Sequence, residues 1–147
     1  MRYIDFLKTV KKCPFCFINK KLIIKDGKQV FLKYANAPYI KNHLLVIPKR
    51  DVVSFLKLTS EERKEIEQML KFGVKILHKN GHLNVSILVR DGTDVGKSVP
   101  HLHYHIIPDM PIGPPELVSK KREVLTEEEE MTVVKKFKKK NRTSVRF

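Results

Sequence analysis

The sequence predicts an α+β fold in which a mainly antiparallel sheet of about five strands carries one long helix. Three observations lead to this prediction. Two β-prone runs flank a tight turn, a continuous apolar run follows them, and a segment with helical periodicity then begins at a capping signal. The order along the chain is hairpin, strand, helix, strand, loop and strand.

The first half of the chain supplies the hairpin and a central strand. Residues 22–25 and 29–34 are β-prone and flank Asp26-Gly27, a dipeptide that accepts the positive φ values of a tight hairpin turn. Residues 43–47 form a continuous apolar run closed by Pro48, which is typical of a strand buried on both faces. We expect this run to lie centrally in the sheet.

The long helix is predicted from its start signal and its apolar face. Thr59 and Glu62 have the spacing of a capping box. Apolar or small residues recur on one face until Gly81: Ile66, Met69, Leu70, Gly73, Ile76 and Leu77. Residues 83–89 and 99–107 then read as strands, and the polar stretch between them is long enough to serve as a binding loop.

Length and charge set the domain organisation. The chain has 147 residues, the usual size of one domain, and a net charge of +14. Seven basic residues and no acid lie in residues 135–147. We therefore predict a domain over residues 1–134, ending in a short helix that Thr126 opens, and a basic, disordered tail over residues 135–147.

The same composition narrows the environment and the ligands. A strongly positive chain concentrates anionic ligands around it, either small phosphates or nucleic acid. No apolar run approaches the roughly 20 residues that a membrane span needs, and no secretion signal is read at the start. The expectation is a cytoplasmic protein that makes no membrane contact.

Three histidines alternate with other residues near the end of the last predicted strand. His101, His103 and His105 would project to one face of that strand. Three imidazoles on one face are typical of a metal site, or of a histidine nucleophile that attacks phosphorus with its neighbours steadying the phosphate oxygens. Incidental histidines on a sheet face are the third reading, and the spacing alone leaves these alternatives open.

The residues 101–107, His-Leu-His-Tyr-His-Ile-Ile, resemble the signature of the histidine-triad (HIT) family. The resemblance extends to Gly96-Lys97-Ser98-Val99 and to residues 42–50, and it covers roughly residues 13–108 in order and spacing. It implies a nucleotide hydrolase or nucleotidyl transferase that acts on the α-phosphate of a nucleoside phosphate conjugate: a phosphoramidate, a nucleotidyl ester or a dinucleoside polyphosphate. The reaction would pass through a covalent nucleotidyl-histidine intermediate.

The resemblance also implies roles for individual residues. His103 would be the nucleophile, His105 would contact the phosphate, and His101 would shape the pocket. Ser98 and Lys97 are candidates for phosphate or leaving-group contacts, and His43 would lie close to the triad.

Three positions depart from the family pattern, and the first is Asp109, which follows Pro108 where Arg is common. Ala35 occupies the slot of the ribose-binding Asp or Asn, so the neighbouring Asn36 becomes the candidate acceptor. Lys97 stands where many members have Gln, and a point charge with donors only suits phosphate and favours a longer polyphosphate or an acidic leaving group.

The two cysteines, Cys13 and Cys16, have the C-x-x-C spacing of a metal or redox pair. The resemblance to the zinc-bearing branch of the family implies that Asp51 and His101 complete a structural zinc site with them. His101 would then tie the N-terminal segment to the chain that carries His103. Two reduced cysteines in a turn are the alternative.

A different class of function also fits the sequence. The basic segment 135–147 is compatible with a nucleotide- or RNA-binding module that makes salt-dependent backbone contacts. Loss of function on deleting this segment, with function unchanged in His103→Ala, would favour that reading. Members of the family are commonly homodimers, and we carry this over as an expectation.

Overall fold

A computed structural model describes residues 1–95, 97–112 and 122–140, and five strands of this part of the chain form one sheet. The strands are β1 Ile23–Asp26, β2 Val30–Tyr34, β3 Leu44–Pro48, β4 Val85–Val89 and β5 Tyr104–Pro108. Their spatial order is β1-β2-β3-β5-β4, and every neighbouring pair is antiparallel. The predicted α+β class is confirmed, and β3 is the central, fully buried strand that its apolar run predicts.

The β1–β2 hairpin forms where it is predicted, although its glycine is needed for a different reason. Gly27 does not adopt a positive φ, and its N–H donates to the Val30 carbonyl at 2.9 Å. The Glu65 carboxylate accepts hydrogen bonds from the N–H groups of Lys28 and Gln29 at 2.6 and 2.5 Å. A Cβ at Gly27 would lie 2.2 Å from Glu65 Oε1. The end of the Glu65 side chain can move, but the Val30 carbonyl oxygen, which would lie 2.6 Å from the same Cβ, is backbone. Its close approach, and not backbone handedness, therefore requires glycine here.

Three α-helices within the described residues accompany the sheet: α1 Tyr3–Thr9, α2 Ser60–Lys79 and α3 Glu127–Lys140. The predicted capping box of α2 is present, because Thr59 Oγ1 accepts from the Glu62 N–H at 3.1 Å and Glu62 Oε2 accepts from the Thr59 N–H at 3.0 Å. None of the helices in the described ranges is long and apolar enough to cross a membrane.

The apolar face of α2 packs on one face of the sheet. The core there contains alternate residues of β2, β3 and β5 together with the helix face: Leu32, Leu44, Val46, Ile106, Ile66, Met69 and Ile76. Gly73 permits close approach, since a Cβ at this position would lie 2.5 Å from Ile106 Cδ1. A second, smaller cluster covers the opposite face and contains Phe15, Phe31, Leu45, Ile47 and Val99. The candidate site lies beside this second cluster.

The C-terminal helix is longer than the sequence prediction. We expected a disordered basic tail from Lys135, but α3 continues to Lys140. The helix is amphipathic: Val134 and Phe137 are buried, and the Phe137 ring contacts Tyr34 at 5.8 Å between centroids. Its lysines lie on the exposed side. The run of lysines therefore predicted disorder, although apolar residues among them pack the helix against the fold. Residues 141–147 lie outside the described residues.

Candidate active site

The strand that carries the histidines is shorter than predicted. The sequence prediction covers residues 99–107, but β5 begins at Tyr104, so His101 and His103 precede the strand. Pro100 has no N–H to donate to a ladder, and the Leu102 N–H donates to the Val52 carbonyl at 2.8 Å, beyond the end of β3. The alternation of faces nevertheless persists, because Leu102 lies in the helix-side core while the histidine rings contact Phe15 and one another.

His103 is held as a neutral imidazole with a defined tautomer. Its Nδ1 lies 2.8 Å from the His101 carbonyl oxygen, which can only accept, so Nδ1 carries the hydrogen and Nε2 keeps the lone pair. The ring is only 7% exposed, and burial lowers the pKa of His103 to about 4. Its ring centroid is 5.1 Å from Phe15 and 4.9 Å from His105. His103 therefore offers an unprotonated nitrogen near neutral pH.

His105 is fixed in the opposite tautomer by His43. The Tyr39 N–H donates to His43 Nδ1 at 3.1 Å, so the proton of His43 resides on Nε2. That Nε2 lies 2.9 Å from His105 Nδ1 and donates to it, which leaves the proton of His105 on its own Nε2. Both rings are buried, and burial lowers the pKa of His43 to about 3 and that of His105 well below its ordinary value. His105 thus presents an N–H donor beside the lone pair of His103.

Two tyrosines and two arginines surround the histidines, and sequence reasoning missed all four. The Tyr39 ring stacks on His105, with centroids 5.6 Å apart and planes 13° from parallel. Arg90 donates to the Tyr39 hydroxyl at 3.1 Å. The guanidinium of Arg122 lies between the rings of Tyr3 and Tyr39, at 4.1 and 4.3 Å from their centroids. None of these residues belongs to a local motif, and only the fold brings them together.

The predicted phosphate-contact residues lie in different surroundings. Ser98 Oγ is 2.9 Å from the Tyr3 hydroxyl. Lys97 Nζ donates to the Val53 carbonyl at 2.7 Å, and its charge contributes to the lowered pKa of His103. Gly96, part of the same motif, lies outside the described residues. The structure therefore fixes Ser98 through a hydroxyl pair that the sequence does not reveal.

Asn36, the predicted ribose acceptor, lines a separate cavity with a volume of about 240 Å³. Phe15, Lys33 and Glu130 also line this cavity. Because Phe15 contacts the His103 ring, the cavity adjoins the triad. Ala35, by contrast, is 2% exposed and packs in the second cluster.

The structure brings Cys13, Cys16, Asp51 and His101 together, with their ligand atoms all within 4.8 Å of one another. His101 Nδ1 lies 3.3 Å from Cys13 Sγ, 3.5 Å from Cys16 Sγ and 3.4 Å from Asp51 Oδ1. His101 Nε2 donates to the Pro48 carbonyl at 2.7 Å, so the lone pair is on Nδ1, toward the thiols. Burial and the neighbouring thiol raise the pKa of Cys16 to about 12. This group has the donors and the arrangement to hold a metal ion.

The chain is similar to proteins of known family. The bifunctional bis(5'-adenosyl)-triphosphatase/adenylylsulfatase FHIT of Arabidopsis thaliana is 33% identical over 91 residues, which are 56% of this chain and 51% of that protein. The chain spans about half the length of the curated relatives it matches first.

Solved structures share the fold. The diadenosine triphosphate hydrolase of Plasmodium falciparum superposes with a TM-score of 0.74 at 22% identity, over 92% of this chain and 88% of that one. A zinc-bound histidine triad family protein from Mycobacterium smegmatis superposes with a TM-score of 0.60 at 18% identity, over 79% and 82% of the two chains. Residues 17–112 match the HIT domain, well over half of the 147 residues, and the chain belongs to the HIT family.

Proposed function

We propose that the protein is a nucleotide hydrolase or nucleotidyl transferase that acts on the α-phosphate of a nucleoside phosphate conjugate through His103. The observation that carries the proposal is the pair of fixed tautomers. His103 keeps a lone pair on Nε2, while His105 keeps a proton on Nε2, and the two rings are 4.9 Å apart. One ring is suited to attack phosphorus, and the other is suited to donate to a phosphate oxygen.

The chemistry follows in two balanced steps. The lone pair of His103 Nε2 forms a bond to the α-phosphorus, and the bond from phosphorus to the leaving group breaks with its electron pair on that group. Water or another acceptor then attacks phosphorus and loses a proton to solvent, and the electron pair of the P–N bond returns to Nε2. The ring is cationic in the intermediate, and its Nδ1–H donates to the His101 carbonyl at 2.8 Å throughout. Burial disfavours this cation and so favours breaking the P–N bond.

The relatives support the reaction class. The matching protein of Arabidopsis thaliana is named for triphosphatase and adenylylsulfatase activities. The structural neighbour from Plasmodium falciparum is named a diadenosine triphosphate hydrolase. Asn36, Ser98 and Lys97 are the proposed contacts to the nucleoside and to the phosphates. Asn36 lines the cavity next to Phe15, Ser98 lines another cavity together with His101, and the charge of Lys97 acts on His103.

Turnover of a panel of adenylated substrates tests the proposal. We expect His103→Ala to abolish turnover while nucleotide binding, measured by calorimetry, persists. His78→Ala, at an exposed position on α2, is the matched control and should keep full activity. Undiminished turnover in His103→Ala, lost only when the exposed lysines at the end of α3 are replaced, would instead favour the nucleic-acid-binding alternative.

We also propose that Cys13, Cys16, Asp51 and His101 bind a structural zinc ion. Zinc holds sulfur and nitrogen donors about 3.4–3.8 Å from one another, and the distances from His101 Nδ1 to its three neighbours are 3.3, 3.5 and 3.4 Å. When bound, zinc would link the N-terminal segment to the chain just before His103. A zinc content near one per chain and a lower melting temperature after chelation are expected. Zinc-free protein in which Cys13→Ser is as stable as wild type would contradict the site.

Homodimer formation remains a prediction. Light scattering of the purified chain measures the molar mass directly. We expect twice the mass of one chain, and a single-chain mass at high protein concentration would contradict the expectation.

A further inference from the structure

Arg122 occupies an unusual position for a guanidinium. It lies between the aromatic rings of Tyr3 and Tyr39, and one of its terminal nitrogens donates to the Ala37 carbonyl at 3.2 Å. Its Nε is buried and has no hydrogen-bond partner among the described residues. A buried N–H without a partner is costly, so an acceptor that reaches this donor would stabilise it.

Both rings that flank Arg122 lead to the candidate active site. Tyr39 stacks on His105, the ring that presents an N–H beside His103. Tyr3 pairs through its hydroxyl with Ser98 at 2.9 Å. The guanidinium is therefore held between two tyrosine side chains. One of them contacts a triad histidine, and the other contacts the proposed phosphate-contact serine.

Among the residues that the structure describes, no carboxylate compensates the charge of Arg122. Arg90 is the second cation at Tyr39, and it adds repulsion to the burial that lowers the pKa of Arg122. Among the described residues, the groups that favour the charged form of Arg122 are the two tyrosines, and no carboxylate is one of them. A half-buried cation without a carboxylate partner gains most from an anionic ligand.

We propose that Arg122 recognises an anionic phosphate leaving group, which makes phosphate-linked nucleotides the preferred substrates over nucleotides linked to a neutral amine. The inference rests on the proposed function of His103. In the first step the bond between the α-phosphorus and the bridging oxygen breaks, and the electron pair stays on that oxygen of the departing phosphate. Arg122 stabilises the negative charge of this group, whereas an amine takes a proton from solvent as the P–N bond breaks and so leaves without negative charge.

Two substrates with the same adenosine 5'-phosphoryl part separate these cases: a dinucleoside triphosphate and an adenosine phosphoramidate of an uncharged amine. For Arg122→Gln we expect kcat/KM on the triphosphate to fall by about 10- to 100-fold, the effect of losing a charged hydrogen bond. On the phosphoramidate kcat/KM should change by less than about threefold. Arg122→Lys keeps the charge and should lose less on the triphosphate than Arg122→Gln. Arg63→Gln, an exposed position on α2, is the matched control and should leave both unchanged.

The outcomes distinguish the inference from the function on which it rests. An equal fall on both substrates would mean that Arg122 only holds the site together, and no fall on either would mean that it does not contact the leaving group. Either result overturns the inference while His103→Ala still abolishes turnover. If Arg122→Gln does not fold, the expected result is competitive inhibition of the wild-type protein by inorganic tripolyphosphate, with a modestly higher inhibition constant in Arg122→Lys, which keeps the charge but not the fork of donors. Absence of inhibition would count against the anion site.

Discussion

Replacing His43 by glutamine should reduce the dependence of folding stability on pH. His43 is fully buried, and burial lowers its pKa to about 3 from an ordinary 6.5. At pH 5 the unfolded chain therefore binds a proton at this residue and the folded chain does not. A base with a depressed folded pKa contributes stability that is present above pH 6.5 and is lost as pH falls toward the folded pKa.

The size of this loss of stability follows from the difference between the pH of the experiment and the ordinary pKa of histidine. At pH 5 the medium is about 1.5 pH units below the ordinary pKa, and each unit corresponds to about 1.4 kcal/mol. His43 should thus remove about 2 kcal/mol from the free energy of unfolding between pH 7.5 and pH 5. The value does not depend on the exact folded pKa as long as that pKa lies well below 5.

Urea unfolding of the wild-type protein and of His43→Gln at the two pH values measures the effect. Glutamine does not titrate. Its amide can donate to His105 Nδ1 in place of His43 Nε2, which lies 2.9 Å from that atom in the wild type. Between pH 7.5 and 5 the wild type should lose about 2 kcal/mol more than the variant. Parallel losses, within about 0.5 kcal/mol, would refute the buried neutral state of His43.

Three further stability predictions come from packing and pairing. Glu130→Gln removes the carboxylate partner of the buried Lys33 ammonium, which keeps only neutral acceptors such as the Tyr34 carbonyl, and should destabilise the fold by about 3–5 kcal/mol; replacing both residues by apolar ones should recover most of the loss in urea unfolding. Gly73→Ala places a Cβ 2.5 Å from Ile106 Cδ1 and should cost about 1–3 kcal/mol in the same assay. Thr59→Ala removes the capping-box hydroxyl at 3.1 Å and should cost about 1 kcal/mol, with a matching fall in melting temperature.

The elements that the sequence predicts well are those with a local cause. The capping box at Thr59 depends on residues three apart, and the burial of β3 follows from its own apolar run. The predicted start of β5 was wrong because the actual start depends on where β3 ends and on Val52, whose carbonyl accepts the hydrogen bond of the Leu102 N–H. The predicted end of α3 was wrong because exposed lysines dominate the composition of its second half, where Val134 and Phe137 are the buried apolar residues.

The features of the candidate site also divide into those that the local sequence predicts and those that depend on distant residues. Alternation along the chain suffices to place the histidines on one face, although His101 and His103 lie outside the strand. The tautomers cannot be read from the sequence, since they depend on partners such as His43, which is 62 residues from His105. Arg122 lies between the rings of Tyr3 and Tyr39, and these three residues are far apart in the sequence. No local pattern carries that information.

Trapping of the protein with an adenylated substrate in an alkaline denaturing quench, in which a P–N bond to histidine survives, tests the central claim most directly. Rapid denaturing quench and intact-mass measurement should reveal wild-type chains heavier by one nucleotidyl group, and peptide mapping should place that group on His103. The adduct should be absent from His103→Ala and present in His78→Ala. Turnover without any adduct on His103, or an adduct that persists in His103→Ala, would contradict the account.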